Sequence, residues 1–235
     1  MSQRDDSEKG NSLLNPTRRQ ALAMAIIGAA GVMLPLGRSS QSFAAMKPTA
    51  SGQVIIGLSQ EPTVFNPHMP HIEVDEGIHW NVFDPLFGIS PSGEFTPALA
   101  VQVPTVANGG ISADGLQWKV KLRDDVKWHD GKPFTAEDVK YTLELIVSPD
   151  FRSCRRAGHV LVREITVVAP TEIPWRTEKS YAPYASILSW TFMVPKHVLS
   201  AAADVNSAPF NNAPIGTGPF KWASRVAGDH IQLKA

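Results

Sequence analysis

A single cysteine, Cys154, stands among 235 residues. One thiol closes no internal disulfide and builds no cysteine-rich zinc site, so packing rather than covalent staples must hold the fold. Surplus charge is also absent, because 22 basic side chains meet 22 acidic ones. Binding to a phosphate backbone draws on an excess of Lys and Arg, and this balance argues against a nucleic-acid partner. No apolar run reaches the roughly 18 residues that a membrane-spanning helix requires. Proline, by contrast, is plentiful: 19 residues, about 8% against a usual level of about 5%. That disfavours a pure helix bundle. An apolar content of 43% is enough for a packed core and argues against intrinsic disorder.

Residues 1–44 read as an export leader. A polar stretch carries Arg4, Lys9, Arg18 and Arg19, an Ala- and Gly-rich apolar stretch runs from Ala21 to Leu36, and Ser42-Phe43-Ala44 offers small residues at a cleavage site. Thr17-Arg18-Arg19-Gln20-Ala21-Leu22 resembles the twin-arginine export motif, with Ala21 where that pattern carries a bulkier residue. The apolar stretch, interrupted at Pro35, is too short for an anchor. Cleavage after Ala44 takes away five basic and three acidic residues and leaves 17 against 19. No cysteine lies near the cleavage point to accept a lipid, so the product is expected free in the periplasm.

Beyond the leader, Val54-Ile55-Ile56-Gly57-Leu58 reads as a buried first strand. Val74, Ile78 and Val82 recur at intervals of four from Glu73 and predict an amphipathic helix ending near Pro85. Ser90 to Glu94 forms a turn, and Asp114-Gly115 is a hairpin signal. Leu116, Trp118, Val120 and Leu122 then alternate with polar residues, the pattern of a strand with one wet face. After the Asp130-Gly131 turn, Thr135 stands three residues before Asp138, a variant capping box. Val139, Leu143, Ile146 and Val147 continue as a helical stripe that must stop by Pro149. Residues 164–168 and 173–177 flank Ala169-Pro170-Thr171 as an antiparallel pair, and 181–200 reads as short helices broken by Pro183 and Pro195. A last strand, Ile231 to Ala235, follows a turn at Gly228-Asp229.

The order of these motifs resembles that of the family 5 solute-binding proteins, the peptide/nickel/opine class that serves ABC importers. The likeness runs over residues 53–235. It rests on Phe65-Asn66-Pro67, Val82-Phe83-Asp84-Pro85-Leu86, Phe95-Thr96-Pro97-Ala98-Leu99-Ala100, Asp114-Gly115-Leu116-Gln117-Trp118, the run from Leu122 to Val139, Val194-Pro195-Lys196-His197 and Ile215-Gly216-Thr217-Gly218-Pro219-Phe220. The resemblance implies an α/β fold of the periplasmic-binding-protein type II clamshell. Residues 53–90 and 205–235 would belong to the first lobe and 91–204 to an inserted subdomain, while the second lobe would be missing. It implies a peptide or similar small solute as ligand, an inner-membrane ABC permease as partner, a monomer, no cofactor and no enzymatic activity. In similar proteins the loop beyond the Asn-Pro pair lies along the cleft, which places His71, Ile72 and Glu73 there. Trp190 is a candidate for the surface between lobes, with burial in the core as its alternative.

Other chemistries compete for the same residues. His68, His71 and His79 with nearby carboxylates suggest a secreted metal-dependent hydrolase, against a polar loop and an exposed helix face. Trp128-His129-Asp130-Gly131 offers a His/Asp pair, but adjacent hairpin residues diverge and no activated serine or cysteine accompanies them. Arg152, Arg155, Arg156 and Arg163 read as a solvated loop, or as a face for an acidic solute. Gly216-Thr217-Gly218-Pro219 lacks the following helix of a phosphate loop and reads as a close backbone crossing. The remaining alternative is a truncated chain that binds nothing.

Overall fold

The computed structural model describes residues 52–235, so the leader expected over 1–44 lies outside the described residues. Helix α1 (Glu73–Val82) is followed by a hairpin of β1 (Phe87–Ile89) and β2 (Phe95–Pro97). Strand β3 (Gln117–Lys121) leads through the Asp130-Gly131 turn to α2 (Ala136–Val147). The short β4 (Val162–Arg163) and the longer β5 (Glu172–Thr177) complete an antiparallel sheet in the order β3-β5-β4. Two short helices, α3 (Tyr184–Leu188) and α4 (Lys196–Leu199), start directly after Pro183 and Pro195. Both prolines initiate helices, where a missing N–H costs nothing. The hairpin of β6 (Lys221–Val226) and β7 (His230–Lys234) ends the chain.

Two apolar clusters form the core. One gathers Trp118, Val120, Ile173 and Trp175 from the sheet, Val139 and Leu143 from α2, and Leu86, Leu99, Leu122, Trp128, Phe134 and Tyr184 around them. Trp118 and Trp175 face each other across the β3–β5 register with rings stacked at 6.2 Å. The other packs Ile78, Val82 and Phe83 of α1 and its exit against Phe65, Leu145, Phe151, Phe192, Val194, Leu199 and Phe210. Helix α2 therefore serves both clusters, Val139 and Leu143 on one side and Leu145 on the other.

Two expectations fail. Val54, Ile55 and Ile56 are 74–84% exposed and form no strand. Their apolar run is the right composition, but a strand exists only through a neighbour's backbone bonds, and none of the described strands pairs with it. Residues 164–168 likewise do not form a regular strand. Glu164 takes a left-handed conformation, φ 52°, which breaks the ladder after Arg163. Only single bonds such as Thr166 N–H to Pro174 O continue the contact with β5.

The close crossing at Gly216 is real. A Cβ there would meet Val82 O at 1.7 Å, and one at Gly218 would meet Asn81 O at 2.7 Å. Gly218 N–H donates to Val82 O and Phe220 N–H to Asn81 O, so this strand of chain closes the C-terminal end of α1.

Candidate functional site

The start of α1 is built from a buried carboxylate. Asp75 Oδ2 accepts from Ile72 N–H at 3.0 Å, and its Oδ1 accepts from Thr63 N–H at 2.7 Å. Ile72 has no acceptor of its own, so Asp75 alone supplies the helix cap and ties the preceding segment to it. Asn66, upstream of it, is buried as well, donating to Asn211 Oδ1 and accepting from His68 N–H. The Asn-Pro loop is thereby fixed, and His71, Ile72 and Glu73 follow at its exit. Ile72 is 41% exposed and the Glu73 carboxylate lies in solvent at the helix N-terminus.

The three imidazoles do different things. His68, on the Asn-Pro loop, and His79, on α1, are both fully buried, so the expected polar loop and wet helix face do not face solvent at these rings. His68 Nε2 donates to Phe192 O at 2.8 Å and His79 Nε2 to Val64 O at 2.9 Å. Burial holds both neutral, with pKa values pushed down to about 3 and about 4. Neither ring is turned toward a shared ligand position, and among the described residues no three His, Cys, Asp or Glu side chains stand close enough to hold a metal.

His71 is the polar one. Its Nδ1 lies 2.8 Å from Met69 O and 3.9 Å from Cys154 Sγ, and its Nε2 is 3.3 Å from Glu76 Oε1. The Cys154 sulfur first, then the Met69 carbonyl and the Glu76 carboxylate, raise its pKa to about 9 against the effect of partial burial. Arg155 Nη2 donates to the same Glu76 oxygen at 3.2 Å. Glu76 thus takes both Arg155 and His71, whose Nε2 also lies 3.3 Å from Arg155 Nη2, and His71, Glu76, Arg155 and the exposed Cys154 form one polar cluster beside α1.

Trp190 is not in the core. It is 41% exposed and meets Trp80, 39% exposed, edge-to-face at 5.2 Å. Buried Phe192 supports Trp80 from below at 4.8 Å. Trp80 lies seven residues beyond Glu73, about 10 Å along the helix. Glu73 and Trp80 are also two turns apart on one face, with side-chain-free Gly77 between them. The expected residues therefore flank α1 without touching: His71, Ile72 and Glu73 at its start, and Trp190, from the segment after α3, against Trp80 near its end.

Of Glu76, Trp80, Cys154 and Arg155, sequence reasoning missed Trp80 and Cys154, and met Glu76 only as a carboxylate near the histidines and Arg155 only within the basic cluster. Glu76 and Trp80 follow from the helix period, which places positions 73, 76 or 77, and 80 on one side. The other two come from a loop more than 70 residues away and carried no local signal. Nor is the basic cluster simply solvated. Arg156 donates to the carbonyls of Val147, Ser148 and Phe151 and so closes the C-terminus of α2.

Comparison with known proteins agrees with this architecture. Residues 94–235 match the family described as bacterial extracellular solute-binding proteins, family 5. The chain is 29% identical over 201 residues to the oligopeptide-binding protein AppA of Bacillus subtilis, covering 84% of this chain and 36% of that one. It is 30% identical to a putative ABC transporter peptide-binding protein of Brucella ovis, over 82% and 36%. Among solved structures, NikZ of Campylobacter jejuni in complex with Ni(L-His) superimposes with a TM-score of 0.67 at 31% identity, over 75% of this chain and 34% of that one. AppA of Bacillus subtilis with a nonapeptide gives 0.68 at 28%, over 74% and 34%. The chain spans about a third of the length of these relatives and shares their α/β, periplasmic-binding-protein type II fold over that part. With its matched region exceeding half of its length, this chain belongs to the family 5 bacterial extracellular solute-binding proteins, a family of binders rather than enzymes.

Proposed function

We propose that this chain is part of the periplasmic binding component of an ABC importer, which captures peptides or similar small solutes and delivers them to an inner-membrane permease. The observation that carries the reading is the exposed face of α1. It carries Trp80, which Trp190 from the segment after α3 joins in an aromatic ledge, together with a free carboxylate, Glu73, and the apolar side chain of Ile72 at the helix start. Such a surface suits a peptide, whose apolar side chains and charged ends need both kinds of contact. Arg155, which shares Glu76 with His71, supplies guanidinium donors at its edge, while both His71 ring nitrogens are engaged by Met69 O and Glu76. Residues 53–90 and 205–235 then form the first lobe and 91–204 the insert, and the solute is enclosed when a second lobe closes over this face. The protein acts as a monomer and reaches the periplasm by the twin-arginine route, cut after Ala44.

Tryptophan emission tests the site. Titration with peptides of two to nine residues is expected to give a saturable change that Trp190→Ala removes. Saturable zinc binding that falls with His68→Ala or His71→Ala, together with peptide hydrolysis, would instead establish the hydrolase reading and overturn this one. An Arg18→Lys, Arg19→Lys leader that still exports the unfolded chain would reject the proposed route.

A further inference from the structure

Two motifs take no part in the solute face, Trp128-His129-Asp130-Gly131 and Gly216-Thr217-Gly218, and they meet each other. His129 N–H donates to Gly216 O at 2.9 Å, while Gly216 N–H lies 3.2 Å from His129 Nδ1. His129 Nε2 lies 2.9 Å from Gly218 O. An amide N–H only donates and a carbonyl only accepts, so the contacts dictate the tautomer: Nε2 carries the proton and Nδ1 keeps its lone pair. The imidazole is neutral and uses both nitrogens on one segment.

From the other side the same segment is held by α1. Gly218 N–H donates to Val82 O at 2.9 Å, Phe220 N–H donates to Asn81 O at 3.0 Å, and Thr217 Oγ1 donates to Asp84 Oδ2 at 2.9 Å. Residues 216–218 are a strap pinned between the His129 hairpin and the end of α1. Its two glycines allow the approach, since a Cβ on either would strike a carbonyl oxygen of α1.

We propose that His129 is an acid-operated latch on this strap: a proton taken from solvent at Nδ1 turns the acceptor of Gly216 N–H into a donor, breaks that bond and loosens the strap at Gly216, while the bonds to Gly216 O and Gly218 O remain. The charges facing the ring are Lys221 on β6, Asp84 after α1 and Asp130 on its own hairpin. Lys221 opposes a second proton, whereas Asp84 and Asp130 favour it; Asp130 is itself paired with His197 Nε2 of α4 at 2.7 Å. Burial outweighs the carboxylates and holds the His129 pKa below its ordinary value. The latch is therefore closed at neutral pH and opens only on the acid side of the ordinary imidazole range. Because the strap also caps α1, opening loosens the helix that carries the solute face, but the latch itself does not depend on any solute.

Nitrogen-15 NMR of the whole chain tests it without a ligand. At pH 7.5 the His129 ring is expected as the Nε2–H tautomer. As the ring titrates, exchange protection of the Gly216 amide is expected to fall roughly five- to tenfold, the loss of about one hydrogen bond, relative to the amide of Val120 in β3, which reports global opening. His129→Asn keeps an acceptor near the Nδ1 position but cannot titrate, and its Gly216 protection should follow Val120 at every pH. An Nδ1–H tautomer, constant relative protection through the titration, or the same pH dependence in His129→Asn would each overturn the proposal. If that variant does not fold, the tautomer and the wild-type exchange profile decide alone.

Discussion

Gly216 has room for a hydrogen and nothing larger. A methyl group there falls 1.7 Å from Val82 O, far inside contact distance, and the neighbour is backbone that cannot swing aside. Gly131 is the contrast: its φ of +89° favours glycine, yet nothing lies within 4 Å of an added Cβ. Gly131→Ala should therefore cost about 1 kcal/mol, the ordinary penalty for a side chain in that conformation, whereas Gly216→Ala should cost several times more or prevent folding. Urea denaturation of the two variants checks the ranking, and equal midpoints would refute it. The glycine pair was legible in the sequence as a close crossing because no helix follows it and Pro219 removes a donor. Which carbonyl it crosses was not, since Val82 is more than 130 residues away.

At the scale of elements, α1 and α2 begin by the same device. Asp138 Oδ2 accepts from Thr135 N–H at 2.9 Å and from Trp128 Nε1 at 3.3 Å, and Oδ1 accepts from Lys196 N–H at 3.0 Å. Asp75 does likewise for Ile72 and Thr63. Each carboxylate caps its helix and also fastens a distant segment. Asp138→Ala should cost about 3 kcal/mol or more, because it strands a buried indole N–H and two backbone donors. Thr135→Ala should cost less than about 1 kcal/mol, since the threonine hydroxyl makes only a 3.4 Å contact with Asp138. Thermal melts of both variants decide it, and a larger loss in Thr135→Ala would reverse the assignment. The helices themselves were readable from apolar spacing, which is local. The cap at Asp75 was not, because an isoleucine occupies the position where a capping side chain is sought. The failure at Val54–Leu58 has the opposite cause: composition marks strand potential, but pairing is a property of the neighbour.

For the whole molecule, the buried histidines set the response to acid. His159 joins His68 and His79 as fully buried, and its Nε2 donates to Thr191 Oγ1 because that hydroxyl spends its own proton on Ile187 O. Burial holds its pKa at about 4, beside about 3 and about 4 for the other two. Each folded-state value lies below the unfolded value near 6.5. The unfolded chain therefore takes up protons first, and stability falls as pH drops from about 6.5 toward 4 while remaining flat above about 7. His71 works in the other direction: its pKa is raised to about 9, so its contribution is complete below about 6.5 and is lost as pH rises to about 9. Maximum stability should then lie near pH 7. At pH 5 each buried imidazole costs about 2 kcal/mol, a combined loss comparable with the whole stability of a typical domain. Urea midpoints at pH 7, 6 and 5 should fall steeply, with a slope approaching three protons below pH 5.5. His159→Gln, which keeps a donor for Thr191 but does not titrate, should reduce that slope by one proton. Midpoints that stay level between pH 7 and pH 5 would mean that these rings reach solvent in the native state, and the buried core assigned to Phe65, Phe192 and their neighbours would have to be redrawn.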